Sequence, residues 1–312
     1  MGHAMLTLEI AERELRERVT IVLLTYNCVH RLKPILIHLS ALNVAIVAVD
    51  NGSSDNTMNL LHSFEQIKVI GLARNIGAAA RNVGLEHTAT PYVAFCDDDG
   101  WYERDGLGHA TDALDAHPAL ALVNGRILVG EQQRLDPISA EMADSPLPER
   151  HGIPGAVLLG FMAGACIVRV NAYRAVGGYE PEFFMGGEEQ TLALKLAAAG
   201  WQLRYRDDVV VYHCPSRANV NGLRPLGLRN ALWTCWIYRR RVAAVTATFR
   251  LLSERRKDRA WVYGILLALR GLPWALGRRQ AVSVELDEQL RVLDRHRLHF
   301  LTAHRAHRLA AR

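Results

Sequence analysis

No bilayer-length apolar run is present in this 312-residue chain. The uncharged stretch Ile153 to Val168 has only 16 residues and holds Pro154 and three glycines, and the apolar stretch Ala260 to Gly277 is broken by Arg270 and Pro273. A spanning helix needs about 20 consecutive apolar residues, so none is predicted. Cysteine is scarce. Cys28, Cys96, Cys166, Cys214 and Cys235 are odd in number and form no C-x-x-C pair, which excludes a disulfide framework and predicts reduced thiols. Charged residues make up only 22% against 50% apolar, which excludes a disordered chain, and neither an internal repeat nor a low-complexity tract is found. No charged n-region followed by an apolar h-region opens the sequence, so a cytoplasmic protein is expected. The opening Met-Gly-His-Ala-Met reads as a cloning remnant, and residues 1–18 are set aside as that remnant plus an N-terminal extension.

Up to about residue 130, apolar runs alternate with segments of helical spacing. Val19 to Thr25, Val44 to Asp50, Lys68 to Leu72 and Tyr92 to Cys96 read as buried strands, with helices at about Leu32 to Leu42, Met58 to Phe64 and Ala78 to His87. Such alternation builds βαβ units and a mostly parallel sheet, so the expected fold class is α/β. Ligands of these sheets bind beyond the carboxyl ends of the strands. That rule picks out Thr25-Tyr26-Asn27, Asp50-Asn51-Gly52-Ser53-Ser54-Asp55 and Asp97-Asp98-Asp99. From Gly130 to Pro154 the prolines at 137, 146, 148 and 154 mark a long surface loop. A second half follows, with a helix from Glu188 to Ala199 closed by Gly200 and short strands at Gln202 to Arg206 and Val209 to His213. After Pro215 the chain turns into basic, tryptophan-rich helical segments. Boundaries are therefore expected near 130 and 215.

The polar ends carry the chemistry. Side chains alternate along a strand, so Asp97 and Asp99 project to one side and Asp98 to the other. Paired carboxylates there need compensation, and a hard divalent cation such as Mg²⁺ or Mn²⁺, which shares its oxygen ligands with a diphosphate, suits them; a solvated acidic turn is the plain alternative. Asp50 can accept from a nucleobase ring N–H, and Asn51-Gly52 turns backbone amides toward a ligand, although ordinary turn and capping chemistry explains the same residues. Arg74 and Arg81 are candidates for phosphate contact or for solvated helix positions. Glu188 and Glu189 open a helix, where the dipole favours acids and where a carboxylate over a cleft can serve as general base. His213, at a strand end, is a candidate metal ligand or phosphate donor. The loop Thr25-Tyr26-Asn27-Cys28 has neither the G-x-G-x-x-G of a dinucleotide oxidoreductase nor the Gly-rich basic loop of a sugar-1-phosphate nucleotidyltransferase.

Taken in order, Thr-Tyr-Asn, Asp-Asn-Gly-Ser-Ser-Asp, Arg-Asn-Ile-Gly-Ala-Ala-Ala-Arg-Asn, Asp-Asp-Asp, Gly-Gly-Tyr-Glu…Phe-Phe, Gly-Glu-Glu…Gly-Trp and the final His resemble the family 2 glycosyltransferases of GT-A fold, from Val19 to His213. The resemblance implies a Rossmann-like nucleotide-sugar-binding half (19–130), an acceptor-binding half (131–215) and a C-terminal basic helical extension (216–312). It implies an inverting, metal-dependent (Mg²⁺ or Mn²⁺) transfer from a nucleotide diphosphate donor (UDP, dTDP or GDP, with UDP expected) to a saccharide, lipid-linked or small-molecule hydroxyl. Thr25, Tyr26, Asn27, Asp50, Asn51, Arg74, Arg81, Asp97 and Asp98 then bind the nucleotide. Asp97, Asp99 and His213 hold the metal, and Glu189, with Glu188, is the base. The departures are Glu189 where Asp is commoner, Thr191 where a further acid is usual, and Lys195 for arginine. They leave a nucleotide-sugar-binding protein with a decayed catalytic site as the alternative. The Gln-x-x-Arg-Trp signature of processive synthases is missing, which implies single addition; Arg229-Asn230-Ala231-Leu232-Trp233 is only superficially similar.

Between Arg229 and Arg279, twelve Lys/Arg face two acids, a local charge of +10 within a chain total of +5, so the remainder carries −5. Four of the six tryptophans (Trp233, Trp236, Trp261, Trp274) lie there, beside Arg239-Arg240-Arg241 and Arg255-Arg256-Lys257. This pattern suits helices lying on an anionic membrane surface, and equally a helical cap with its tryptophans inside. Nucleic acid is not an expected partner, because no binding motif accompanies the charge. His296, His299, His304 and His307 read as part of a solvated basic tail.

Overall fold

A computed structural model gives the fold; it describes residues 14–149, 151–215, 220–254 and 257–310, with side chains as far as Arg297. Most of the N-terminal extension, Arg255 and Arg256, and the side chains of His299, His304 and His307 lie outside the described residues.

The apolar runs become strands because both of their faces are covered. Every residue of β1 (Val19–Thr25) is buried, and five of its seven residues are β-branched. The first half then runs α1 (Val29–Ser40), β2 (Ala45–Asp50), α2 (Thr57–His62), β3 (Ile67–Gly71), a 3₁₀ turn at Gly77–Ala79, α3 (Ala80–Glu86), β4 (Tyr92–Asp97), β5 (Gly100–Tyr102) and α4 (Arg104–Ala116). β3, β2, β1 and β4 pair parallel in that order. The small residues of α3 let it close on this sheet: a side chain at Gly84 would strike Val22 and Val49.

The second half adds β6 (Leu120–Val129), β7 (Arg134–Leu135), α5 (Pro137–Ala143), β8 (Ala156–Val157), β9 (Cys166–Arg169), α6 (Val170–Ala175), α7 (Glu188–Ala198) and β10 (Gln202–His213). The sheet order is β3-β2-β1-β4-β9-β6-β10-β5, with β7 on β6 and β8 on β10. β9 is antiparallel to both neighbours, β6 and β10 run parallel, and β5 returns antiparallel on β10.

Three features differ from expectation. β6, deep in the sheet, carries Asn124-Gly125, which looks like a turn. Here buried Asn124 accepts from Met162 N at 2.7 Å, and Gly125 is required because a Cβ would sit 2.5 Å from Val209 O. The two short strands before His213 are one, β10, with its register shifting between Arg206 and Val210. The expected long loop holds α5, begun by Pro137 at its first turn and capped by Asp136, which accepts from Ile138 N at 2.8 Å.

The C-terminal part is helical throughout: α8 (Val220–Tyr238), α9 (Arg241–Glu254), α10 (Arg259–Arg270), α11 (Leu272–Gly277) and α12 (Val284–Ala310). Trp233 and Trp274 point inward, their ring centroids 5.1 Å apart, and both pack edgewise on Phe183 of the second half. Arg239 is buried against Asp287 (2.7 Å) and Asp294 (2.8 Å). Trp233 and Trp274 thus form the seam between the helical part and the sheet domain, while Trp261 packs among the helices against Leu228 and Leu232. Among the described residues, no helix is long and apolar enough to cross a membrane.

Candidate active site

A cleft of about 800 Å³ opens beyond the carboxyl ends of β1 and β4. Register assembles one wall of it. Thr25 stands opposite Asp50 across β1 and β2, and Leu24 opposite Asp97 across β1 and β4. Asp50 is buried, and its carboxylate accepts from Ser53 N (2.8 Å), Ser53 Oγ (2.5 Å) and Thr25 Oγ1 (3.2 Å). Asn27, at φ 47°, accepts from Ser54 N at 2.8 Å, and Asn51 receives Ile76 N at 2.8 Å while donating to Gly77 O at 3.0 Å. These bonds stitch three loops into one floor.

The three aspartates diverge as strand alternation demands. Asp98 receives both Nε (3.1 Å) and Nη2 (2.8 Å) of Arg31 from α1. Burial raises the pKa of Asp98, and Arg31 only partly offsets this. Asp97 pairs with Arg81, a buried arginine whose guanidinium lies 5.8 Å from the Tyr179 ring centroid. Burial alone would lower the pKa of Arg81, but the surrounding Asp97, Tyr179, Glu188 and Glu189 more than reverse this, so it stays charged. Asp99 faces His213, whose Nε2 is 3.5 Å from Oδ1. The pairing of His213 with Gly100 across β10 and β5 brings that contact about, and the hydrogen-bonding Asp99 raises the pKa of the imidazole.

The opposite wall carries Glu188 and Glu189 at the start of α7. Glu188 is buried with Oε2 unpartnered, and burial together with the adjacent Glu189 charge pushes its pKa up to about 8. Glu189 is half-buried, and its pKa is raised by burial and by Asp97 against the opposing effect of Arg81. Three carboxylates thus surround one buried guanidinium. The remaining rim is apolar, with Met142, Phe161 and Leu223, and α12 adds Asp294, His296 and Arg297.

The profile of glycosyl transferase family 2 matches residues 20–176, just over half of the chain. The chain belongs to glycosyl transferase family 2. Its sequence is similar to the pre-mycofactocin glycosyltransferase of Mycobacterium tuberculosis, 32% identical over 206 residues. That match covers 62% of this chain and 42% of the relative, so the chain spans about two fifths of the length of the curated relatives it matches first. In fold it is similar to the mannosyltransferase PcManGT from Pyrobaculum calidifontis in complex with GDP-Man and Mn²⁺ (TM-score 0.54, 18% identity, 88% of this chain and 80% of that one). It is similar also to S. aureus TarS 1–349 in complex with UDP-GlcNAc (TM-score 0.54, 14% identity, 84% and 82%). These establish the curled, mostly parallel GT-A fold, here with helices α8–α12 appended.

Within this family 2 domain, Thr25, Tyr26, Asn51, Arg81, Asp97, Asp98, Asp99, Glu188, Glu189 and His213 all line the one cleft. Asp50, Asn27 and Arg74 are not among the residues lining it: Asp50 is buried in its turn bonds, Asn27 is half-buried, and Arg74 is exposed with its backbone packed against the Gly52 turn. Arg81 is buried rather than solvated. The departures Thr191 and Lys195 are occupied elsewhere: Thr191 Oγ1 donates to Glu188 O at 2.8 Å, and Lys195 Nζ to Gly178 O at 2.6 Å and to Glu180 Oε1 at 3.1 Å. Sequence reasoning missed Arg31, whose signal was its place in the first turn of α1, beside the strand-end loops. Missed too were the α12 side chains, which nothing local connects to the cleft.

Proposed function

We propose that this domain transfers a sugar from a nucleoside diphosphate donor to a hydroxyl acceptor with inversion, one residue at a time. The reading rests on a single observation: Asp97, Asp99 and His213 from the sheet edge and Glu188–Glu189 from α7 converge on one cleft around Arg81. The division of labour follows the chain, with residues 19–130 for the donor, 131–215 for the acceptor, and the helices beyond 216 completing the acceptor rim.

The donor set fits a hard divalent cation in the manner of a diphosphate-bound ion. Among the described residues no three His, Cys, Asp or Glu side chains are gathered to chelate an ion by themselves. One or two carboxylates plus phosphate oxygens are what Mg²⁺ ordinarily takes. Asp99 with His213 would hold Mg²⁺ or Mn²⁺, with Asp97 beside them, and the ion when bound supplies charge stabilisation to the departing diphosphate. The GDP-Man and Mn²⁺ bound by PcManGT and the UDP-GlcNAc bound by TarS support a nucleotide-sugar donor of UDP or GDP type. Asp50 keeps the Thr25 and Ser53 turn in shape for the base, and Arg31 fixes Asp98 at the pocket wall.

Glu188 and Glu189 share a raised, mutually dependent ionisation, so near neutral pH Glu188 holds its proton. Glu189, half-buried and facing the cleft, takes the proton of the attacking hydroxyl on the face opposite the leaving group. Calorimetric titration of UDP, dTDP and GDP, each with and without Mn²⁺, tests the donor side. Binding that requires Mn²⁺ in the wild type and fails in Asp99→Asn supports it; metal-independent, Asp99-independent binding contradicts it.

A bilayer-presented acceptor is favoured by one further observation. On α10, Val262 (50% exposed), Tyr263 (56%), Leu266 (58%) and Leu269 (59%) form an outward stripe between exposed Arg259 and Arg270. No Asp or Glu occurs from 259 to 284. The rim is mostly cationic, with Lys257, Arg259 and Arg270 around the stripe and Asp258, paired with Arg224, at one end, and such a face complements an anionic lipid surface. α10 packs on α8, whose Leu223 lines the cleft, so a lipid-linked hydroxyl would be delivered at its rim.

A further inference from the structure

The segment that delivers the two glutamates does not hold its own shape. Phe184 stands at φ 60°, ψ −74°, and Met185 N bonds back to Phe183 O at 2.7 Å, a positive-φ γ-turn, which is a rare and strained conformation. Gly186 and Gly187 follow at φ 94° and 97°, and Glu188 and Glu189 come next. A backbone bent this way persists only when its surroundings over-determine it. One tie comes from the donor half, where Ala78 N donates to Phe184 O at 2.7 Å.

The other tie comes from the helical part. Asn230, on α8, is completely buried and directs its amide nitrogen at three carbonyls of the turn: Phe183 O (2.8 Å), Met185 O (3.1 Å) and Gly186 O (2.9 Å). The orientation of the amide is fixed from behind, because Arg229 Nε donates to Asn230 Oδ1 at 2.9 Å. Arg229 in turn donates to Phe183 O at 2.7 Å and stacks its guanidinium 4.5 Å from the Trp233 ring centroid. A Cβ built on Gly186 would lie 3.4 Å from the backbone of Gly227, one helical turn before Asn230, so the turn packs directly on α8.

We infer that Asn230, oriented by Arg229, is a positioning residue for the acid pair: it locks the 183–187 turn so that Glu188 and Glu189 stand over the cleft. This rests on the role proposed for Glu189. The helical extension is on this view part of the catalytic apparatus rather than a passive cap. A shift of about 1 Å in a reacting group can cost a hundredfold in rate, and loss of three acceptor contacts frees the turn to relax by that order. The donor half keeps its own tie to the turn, Ala78 N to Phe184 O, which an Asn230 substitution leaves in place, so nucleotide binding should change little.

The test compares full-length wild type, Asn230→Ala, Asn230→Ser and Glu189→Gln, reading release of UDP or GDP from the corresponding nucleotide sugar and calorimetric binding of UDP or GDP with Mn²⁺. Asn230→Ala is expected to lower kcat by roughly tenfold or more, with donor KM and nucleotide Kd held within about twofold. Asn230→Ser, which keeps one donor in the pocket, should lose less, and it carries the same comparison if the alanine variant does not fold. Wild-type kcat in both Asn230 variants, or a loss confined to KM or to melting temperature, overturns the inference. A fully active Glu189→Gln overturns the reading of the acid pair beneath it, whereas an inactive Glu189→Gln beside fully active Asn230 variants overturns the positioning role alone.

Discussion

Arg81 and Asp97 form an ion pair in the floor of the cleft, the arginine buried on α3 and the aspartate at the end of β4 with its carboxylate half open to solvent. The pair has a double consequence. It neutralises one of the carboxylates that crowd the cleft, and it fixes the Asp97 side chain at the strand end. Arg81→Met keeps the packing volume but removes the charge. It is expected to cost about 2 kcal/mol in urea unfolding, less than a fully enclosed pair because Asp97 remains half-exposed. A change below about 0.5 kcal/mol would mean that water already screens the pair.

Glu188 gives a stability prediction with a definite sign. Its pKa rises on folding from 4.5 to about 8, so between those values the unfolded chain has released a proton that the folded chain retains. The folded state therefore loses stability as pH climbs from 4.5 toward 8. Glu188→Gln, which cannot ionise, should melt higher than wild type at pH 8 and show a flatter dependence on pH over that window. Equal melting curves for the two at pH 5 and at pH 8 would contradict the buried, proton-holding state.

Much of the donor half was legible in the sequence because its signals are local. An apolar run ending in a polar turn identifies β1, β2 and β4, and their parallel register alone carries Thr25, Asp50 and Asp97 to one edge. β6 is absent from the expected strands, and what holds it in the sheet is distant in sequence: Asn124 accepts from Met162 N, and Gly125 lies against Val209. The tryptophans could be read as membrane anchors or core, and only the tertiary contact with Phe183 decides that Trp233 and Trp274 are core. The α12 side chains in the cleft, and the grip of Asn230 on the turn before Glu188, leave no periodic or motif signal at all.

Gly164 touches the acid cluster directly. A Cβ there would lie 2.5 Å from Asp97 Oδ2 and 3.0 Å from its Cγ, so Gly164→Ala must displace the carboxylate. The expected result is a fold that melts near the wild-type temperature with Mn²⁺-dependent nucleotide binding weakened about tenfold, the usual scale for disturbing a group beside a metal ligand. Unchanged affinity by calorimetry would remove Asp97 from the metal and diphosphate environment.

The α10 stripe predicts a salt-sensitive association with lipid. Wild-type protein should float with vesicles containing phosphatidylglycerol and stay behind with pure phosphatidylcholine. Leu266→Glu, exposed and remote from the cleft, should abolish flotation while leaving nucleotide binding intact. Equal flotation on both vesicle types, or none on either, would dismiss the bilayer as the partner of this face.

Transfer here rests on Glu189 acting as base over a cleft that binds its donor independently. The most direct measurement is turnover of the nucleotide sugar by Glu189→Gln, alongside calorimetric binding of the matching nucleoside diphosphate with Mn²⁺. Turnover reduced by about a hundredfold or more with unchanged nucleotide affinity is the predicted result. Wild-type turnover in that variant would contradict it.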